Sequence, residues 1–346
     1  MNNEPNIAQK TFKFWKVLLA LCFGLGVSFY QFHKGLEGKS IESVFEQLAS
    51  PVWLWLIAAV VVLLIRDFGY MFRIRHLTNK KLDWKSSFYI ILLWEFASAI
   101  TPSVVGGTAI AVFLLNRHGI KMGRSVAYVT LTAILDNLFF IVVAPFGLLM
   151  AQDTAFFSQT RDFFGWFDFR LSYIFFISYA LIAFYTSFMA FGVLINPRLF
   201  QKLVLLIVKV FHLKGSWKRK AFRLTLDNIE ASKALKGLGY SYWVRAVLST
   251  LFVWCARYLM LNCLLAAYLP MDFELHKQAF GKQLVLWVTQ LISPTPGASG
   301  FAEAFMVQLF GGALIINSIT LLWRLFTYYT YLIIGSIIFP RWIEKN

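Results

Sequence analysis

Five ionisable residues stand inside stretches that are otherwise apolar: Glu95, Asp136, Arg257, Glu303 and Arg324. At the centre of a helix in hydrocarbon each costs at least about 2.5–3.5 kcal/mol unless it is paired or wet. The guanidinium forks of Arg257 and Arg324 suit the oxygens of a phosphate or another anionic headgroup. Glu95 and Glu303 can hold those arginines ready, meet a cationic group, or carry a coupling proton. Arg66 and Asp67 lie nearer the end of their apolar run, where Arg66 can snorkel and Asp67 can reach water, so anchor and site stand open for both. The plain alternative for the deeper five is a set of buried ion pairs that fix helix register. On the functional reading, Glu303→Gln or Arg257→Ala removes activity and spares folding; on the pairing reading both fail to fold.

Other chemistries find no support in the sequence. His33, His76, His118, His212 and His276 fall in loops or linkers, so no metal or His/Asp hydrolytic cluster is expected. Cys22, Cys255 and Cys263 sit in apolar stretches without metal-ligand spacing and read as inert core thiols. No Gly-rich nucleotide loop occurs, and neither an enzyme nor a cofactor is expected.

The charges gain their meaning from what surrounds them. Of 346 residues 59% are hydrophobic and 14% charged, more apolar surface than one water-soluble core could hide. The net charge of +16 is spread through short connections between apolar runs, which fits positive-inside membrane topology and not nucleic-acid binding. Six runs reach the roughly 20 residues that a span requires: 12–32, 52–72, 125–150, 171–195, 242–269 and 313–339. The first is too long for a signal-peptide core and has no small-residue cleavage site, so it reads as a retained span.

Two further runs are broken. Residues 86–115 are interrupted by Thr101, Pro102, Gly106 and Gly107, and residues 282–310 by Pro294, Thr295, Pro296, Gly297 and Gly300. Basic residues flank the first on both sides, Arg73, Arg75, Lys80, Lys81 and Lys85 before it and Arg117, Lys121 and Arg124 after it. The chain therefore returns to its starting side, as a re-entrant hairpin open to the cytoplasm. The same logic makes the second hairpin re-entrant from outside and places both termini in the cytoplasm. Setting Thr101-Pro102 over Thr295-Pro296 lays Gly106 on Gly300 and gives each half the order span, hairpin, span. The expected fold is a single all-α membrane domain over 1–346, with an inverted-topology repeat, 52–150 against 242–339, around a midplane cavity. The link 196–239 pairs Leu199, Leu203, Leu206, Ile207 and Val210 with lysines and arginines, as a basic amphipathic segment held by anionic lipids of the inner leaflet.

The run Pro294-Thr295-Pro296-Gly297-Ala298-Ser299-Gly300-Phe301-Ala302-Glu303 resembles the PTPGG-G-x-x-E signature of the lysylphosphatidylglycerol synthase transmembrane, or flippase-like, family. Glu95 through Gly107 looks like its first-half counterpart, and the likeness runs from about the second span onward. Ala298 departs from the family, in which glycine is common there, and stiffens the tip. The resemblance implies a bacterial inner-membrane protein that moves polar lipids between leaflets, with membrane lipids as substrate and solvent. The family's multiple peptide resistance factor couples such a domain to a synthase; none follows within these 346 residues, so lipid aminoacylation is not expected. An ion-coupled transporter of a small anion, or a transferase acting on a lipid-linked sugar, is the alternative. A homo-oligomer is left open.

Overall fold

In a computed structural model, residues 49–345 are described apart from 102, 153–159, 164–166, 211, 213–214, 292, 294 and 312, along with scattered positions between 22 and 46. The expected first span at 12–32 lies mostly outside the described residues, and so does Pro102. Helix α1 (Trp53–Leu77) leads through Asp83 to α2 (Trp84–Ile100), and α3 (Ser103–Arg117) precedes the long α4 (Met122–Ala151). A two-stranded antiparallel hairpin, β1 (Thr160–Phe163) with β2 (Phe167–Arg170), departs from the all-helical expectation. Helix α5 (Leu171–Ala190) ends in a π-helical turn at Phe191–Ile195, and α6 (Pro197–Val210) and α7 (Ser216–Leu235) form the link between halves. Helix α8 (Tyr240–Tyr268), α9 (Phe273–Gln290) and α10 (Phe301–Phe310) follow. Helix α11 (Leu314–Arg324) continues through a π-helical turn at Leu325–Tyr329 into α12 (Thr330–Lys345).

Five of these stretches are long and apolar enough to cross a membrane: Trp53–Leu77, Met122–Ala151, Leu171–Ile195, Tyr240–Tyr268 and Leu314–Trp342. They match the five described spans read from sequence within a few residues. The first arm of each broken run starts at an aspartate cap, Asp83 accepting from Ser86 N at 2.9 Å and Asp272 from Leu275 N at 2.8 Å. The Ser86 hydrogen bonds hold the Asp83 carboxyl below the usual carboxylate range. Capping by Asp272 also turns an expected acidic loop into helix, with Glu274 and Lys277 paired at 2.5 Å in its opening turns. Helix α9 is consequently 18 residues long, about 27 Å, more than the short arm that the sequence suggested.

Helices α1 and α8 lie antiparallel along their whole length. Val52 N donates to Ala267 O at 2.8 Å at one end, and Tyr242 Oη donates to Leu77 O at 2.9 Å at the other. Between them a Cβ on Gly69 would sit 2.8 Å from Val253 Cγ1, so the absence of a side chain sets their separation. Around this pair the packing is reciprocal. Helix α2 packs on α1, α3 and α12, while α9 packs on α8, α10 and α4. Gly335 of α12 lies against Phe96 of α2; Gly147 of α4 lies against Leu284 and Gly281 of α9.

The link is two helices. Helix α7 packs on α4, burying Thr225, Asn228, Ala231, Ser232 and Leu235, a stripe at helical spacing. The Glu230 carboxylate rests on Gly123 in the first turn of α4, where exposed N–H groups and the helix dipole favour a negative charge. Helix α6 instead leaves Leu199, Leu203, Leu206, Ile207 and Val210 exposed along one face.

Close backbone approach between α4 and α9 yields a stability prediction. A Cβ at position 281 would lie 2.5 Å from Gly147 O and 2.6 Å from Ala151 N, atoms that cannot rotate away. Gly281→Ala is expected to destabilise the protein by about 1–3 kcal/mol, and Gly69→Ala, which meets movable side chains, by less. Thermal unfolding in detergent, followed by size-exclusion fluorescence, ranks the two; the reverse order would overturn the account.

Candidate functional site

Both helix breaks open on one interior space. A cavity of about 300 Å³ is lined by Thr101 from the first break and Thr295, Gly297 and Ala298 from the second. A smaller chamber of about 140 Å³ shares Glu95, Ser98, Arg257, Trp287, Gln290 and Gly297 with it and adds Arg324 and Tyr331. Tyr328 Oη donates to Ala99 O at 3.1 Å, and a Cβ on Gly297 would lie 3.2 Å from the same oxygen. The breaks thus touch.

Their local structures differ. Helix α2 ends at Thr101, whose hydroxyl donates to Ala97 O at 2.6 Å, and α3 resumes at Ser103. Gly106 is already helical and Gly107 lies against Ser98 of α2. The second break runs from Leu291 to Gly300, with Gly297 at φ +55°, Ala298 at +53° and Gly300 at +82°. Thr295 Oγ1 donates to Ser299 O at 2.8 Å, and Ser299 N donates to Pro296 O at 3.0 Å. Gly106 and Gly300, aligned in sequence, are therefore not structurally equivalent. Ala298 is an L-residue in left-handed backbone, which costs about 1–2 kcal/mol.

Four guanidinium–carboxylate pairs surround the chambers. Arg324 Nε donates to Glu303 Oε1 at 2.7 Å, and the other carboxylate oxygen accepts from Gly300 N at 2.6 Å. Both side chains are buried, 6% and 1% exposed, and the guanidinium lies 4.1 Å from the Tyr328 ring centre. Glu303 thus ties the last span to the second break. Arg257 lies 3.5 Å from Glu95 and donates to Tyr70 Oη at 3.2 Å. This pair is looser and more open, 27% and 20% exposed. Asp136 takes a two-pronged contact from Arg73 and a hydrogen bond from Trp254 Nε1 at 2.8 Å. Arg66 donates to Asp67 at 2.7 Å and to Tyr331 Oη at 2.5 Å, and Tyr331 in turn donates to Asp67.

Two sequence expectations are corrected here. Arg66 does not snorkel: it is fully buried between α1 and α12. Arg73 is no linker residue: α1 runs on to Leu77, and Arg73 is buried against Asp136 on the cavity wall. The signal was present, since Arg66, Tyr70 and Arg73 recur at i, i+4 and i+7 on one helix face. His76 and His276 are likewise helical, although no metal-holding cluster occurs among the described residues.

Sequence reasoning missed the aromatic lining, Trp94, Trp254 and Trp287, together with Tyr258 and Gln290. Tyr258 Oη and Gln290 Nε2 are buried without a hydrogen-bond partner among the described residues, as is Arg66 Nη1. Tyr258 and Gln290 line the smaller chamber beside Arg257. Buried donors of this kind are costly unless an acceptor arrives.

The geometry separates Glu303 from Arg257. Glu303→Gln is expected to destabilise the protein by about 3–5 kcal/mol, because it leaves Arg324 buried without its anion. Arg257→Ala, at the open pair, is expected to keep the fold. Chemical or thermal unfolding of both variants tests this, and equal losses would overturn it. Ala298→Gly is expected to stabilise by up to about 1 kcal/mol, the relieved strain exceeding glycine's greater unfolded-state freedom. Unchanged or lower unfolding temperature would contradict that.

The family model described as "Lysylphosphatidylglycerol synthase TM region" matches residues 15–335. The match begins upstream of the likeness read from motifs and takes in most of the first expected span. A "UPF0104 membrane protein" from Archaeoglobus fulgidus is 28% identical over 293 residues, covering 82% of this chain and 85% of that protein.

Proposed function

The chain belongs to the lysylphosphatidylglycerol synthase transmembrane family, and from that premise we propose that it moves a polar, phosphate-bearing lipid between leaflets as a flippase or scramblase. One observation carries the reading: the open Arg257–Glu95 pair faces a cavity where both helix breaks meet, beside buried donors that lack acceptors among the described residues. A phosphodiester offers the acceptors that Arg257, Tyr258 and Gln290 want, and guanidinium matches its oxygens. Chambers of about 300 and 140 Å³ suit a headgroup, with the acyl or isoprenyl tails left in the bilayer.

Alternating exposure of that cavity needs two related halves. In this proposal α1–α4 and α8–α12 form an inverted repeat, and α2–α3 and α9–α10 are hairpins re-entrant from opposite faces. The reciprocal packing, the antiparallel α1–α8 pair and the matched Asp83 and Asp272 caps support it. Contact of Gly107 with Ser98, only nine residues back, supports a folded-back first hairpin. The exposed apolar face of α6, next to Lys202 and Lys209, fits an anionic cytoplasmic leaflet, and it supports the part of the proposal that has both termini cytoplasmic in a bacterial inner membrane. No catalytic step is assigned to the site.

A soluble anion of headgroup size fits the same volume and is the competing reading. Purified protein in vesicles, assayed with head-labelled phosphatidylglycerol and a membrane-impermeant quencher, separates them. Lipid movement above the empty-vesicle rate, reduced at least about tenfold by Arg257→Ala, is expected. Uptake of a soluble organophosphate without lipid movement would defeat the proposal, and turnover of a lipid-linked donor without movement would make the protein an enzyme.

A further inference from the structure

The charges around the chambers cancel. Arg66, Arg73, Arg257 and Arg324 stand against Asp67, Asp136, Glu95 and Glu303, each arginine with one carboxylate. A monoanionic phosphodiester brought into this space adds one uncompensated negative charge where screening is weak. Neutrality returns if a carboxylate is protonated or a cation enters with the ligand.

Three pairs are closed to such an exchange. Glu303 is held by Arg324 and Gly300 N, Asp136 by Arg73 and Trp254, and Asp67 by Arg66 and Tyr331. Glu95 alone among these acids keeps its arginine as far as 3.5 Å, and that pair lies on the walls of both chambers. The charged and titratable groups around Glu95 come from every neighbouring element. Helix α1 contributes Arg66, Asp67, Tyr70 and Arg73, α4 contributes Asp136, α8 contributes Arg257 and Tyr258, α11 ends in Arg324, and α12 contributes Tyr331; α9 adds neutral Gln283 and Gln290. Arg66, Arg73 and Arg324 already hold carboxylates. Once Arg257 turns to a phosphate, Glu95 loses its direct guanidinium partner and gains an anion beside it, while Arg66 and Arg73 stay bonded to Asp67 and Asp136.

We infer that the site takes a phosphodiester headgroup together with one proton, which is carried on the Glu95 carboxyl. The step makes one O–H bond, with the proton drawn from solvent, while Arg257 exchanges a carboxylate oxygen for a phosphate oxygen; no covalent bond of the ligand changes. Loaded and empty states then carry the same net charge, so the membrane potential does not oppose passage of the anionic headgroup. The inference rests on the headgroup reading of this cavity.

The test is binding and not transport, so that the two can fail separately. Short-chain phosphatidylglycerol, whose phosphodiester stays monoanionic from about pH 5.5 to 8, is titrated into detergent-solubilised protein while fluorescence of the lining tryptophans is followed. Binding to the unmodified protein is expected to weaken about tenfold per pH unit over part of that range. With Glu95→Gln the binding persists and the slope vanishes, and Glu95→Asp restores the slope. Short-chain phosphatidylethanolamine, which brings its own ammonium, is expected to bind without the slope. A flat profile for phosphatidylglycerol, no binding of it at any pH, or a slope retained in Glu95→Gln overturns the inference. Vesicles that move no lipid while the slope is present would instead remove the translocation reading alone.

Discussion

Desolvation of charge is the constraint on which the rest of the molecule depends. Four arginines and four carboxylates lie among apolar helices, and each buried ion carries a penalty of several kcal/mol that attraction repays only with good geometry and further hydrogen bonds. The surrounding polar groups supply those bonds. Trp254 serves Asp136, Tyr331 serves Asp67 and Arg66, Gly300 N serves Glu303, and Tyr70 serves Arg257. Every one of these contacts except that of Gly300 with Glu303 joins groups on different helices, and that one extends the Glu303–Arg324 pair, which does. The charge network is therefore also what fixes α1 against α8, α4 and α12.

The helix breaks follow from the same constraint. Unpaired backbone groups at membrane depth need partners as much as charges do. At the second break they find Thr295, Pro296 and Glu303 within the turn, and Arg324 reaches across to Gly297 O at 3.3 Å. At the first, Ala99 O is taken by Tyr328 from the last span. Each break is thus completed by α11–α12 or by its own turn, and the π-helical turn at Leu325–Tyr329 directly follows Arg324 and carries Tyr328. A helix widened at that point presents guanidinium and phenol together, a use of π-turns often met at functional sites.

Much of this was legible in the sequence because hydrophobic runs and charges are strong signals. The five described spans, both breaks, and the capacity of Glu95 and Glu303 to hold Arg257 and Arg324 could be read from composition and sign; which acid meets which arginine could not. Depth could not. Arg73 follows an apolar run and counts as a loop cation by positive-inside arithmetic, yet α1 continues past it and its spacing from Arg66 turns it inward. The tryptophan and tyrosine lining was invisible for a different reason. In a chain with 12 Trp and 14 Tyr, aromatic residues facing lipid, interface and cavity share the same local pattern. Nor could aligned glycines reveal that Gly106 is helical while Gly300 starts a helix with positive φ, since a matching residue type does not fix the length of the turn around it.

Reciprocal packing without a symmetric site has a physical sense. If both acid–arginine pairs at the breaks were as tight as Glu303 with Arg324, the cavity would be a register lock with nothing to exchange. If both were as open as Glu95 with Arg257, two carboxylates and two guanidiniums would compete for water inside hydrocarbon, and the breaks would lose their anchor. One tight pair and one open pair divide the work. Arg324 and Glu303 hold the second break and the last span as one body, while Arg257 and Glu95 keep a charge pair that a ligand can part without leaving either member stranded. On the proposed reading, the asymmetry between these two pairs is what would let a reciprocally packed scaffold bind a ligand.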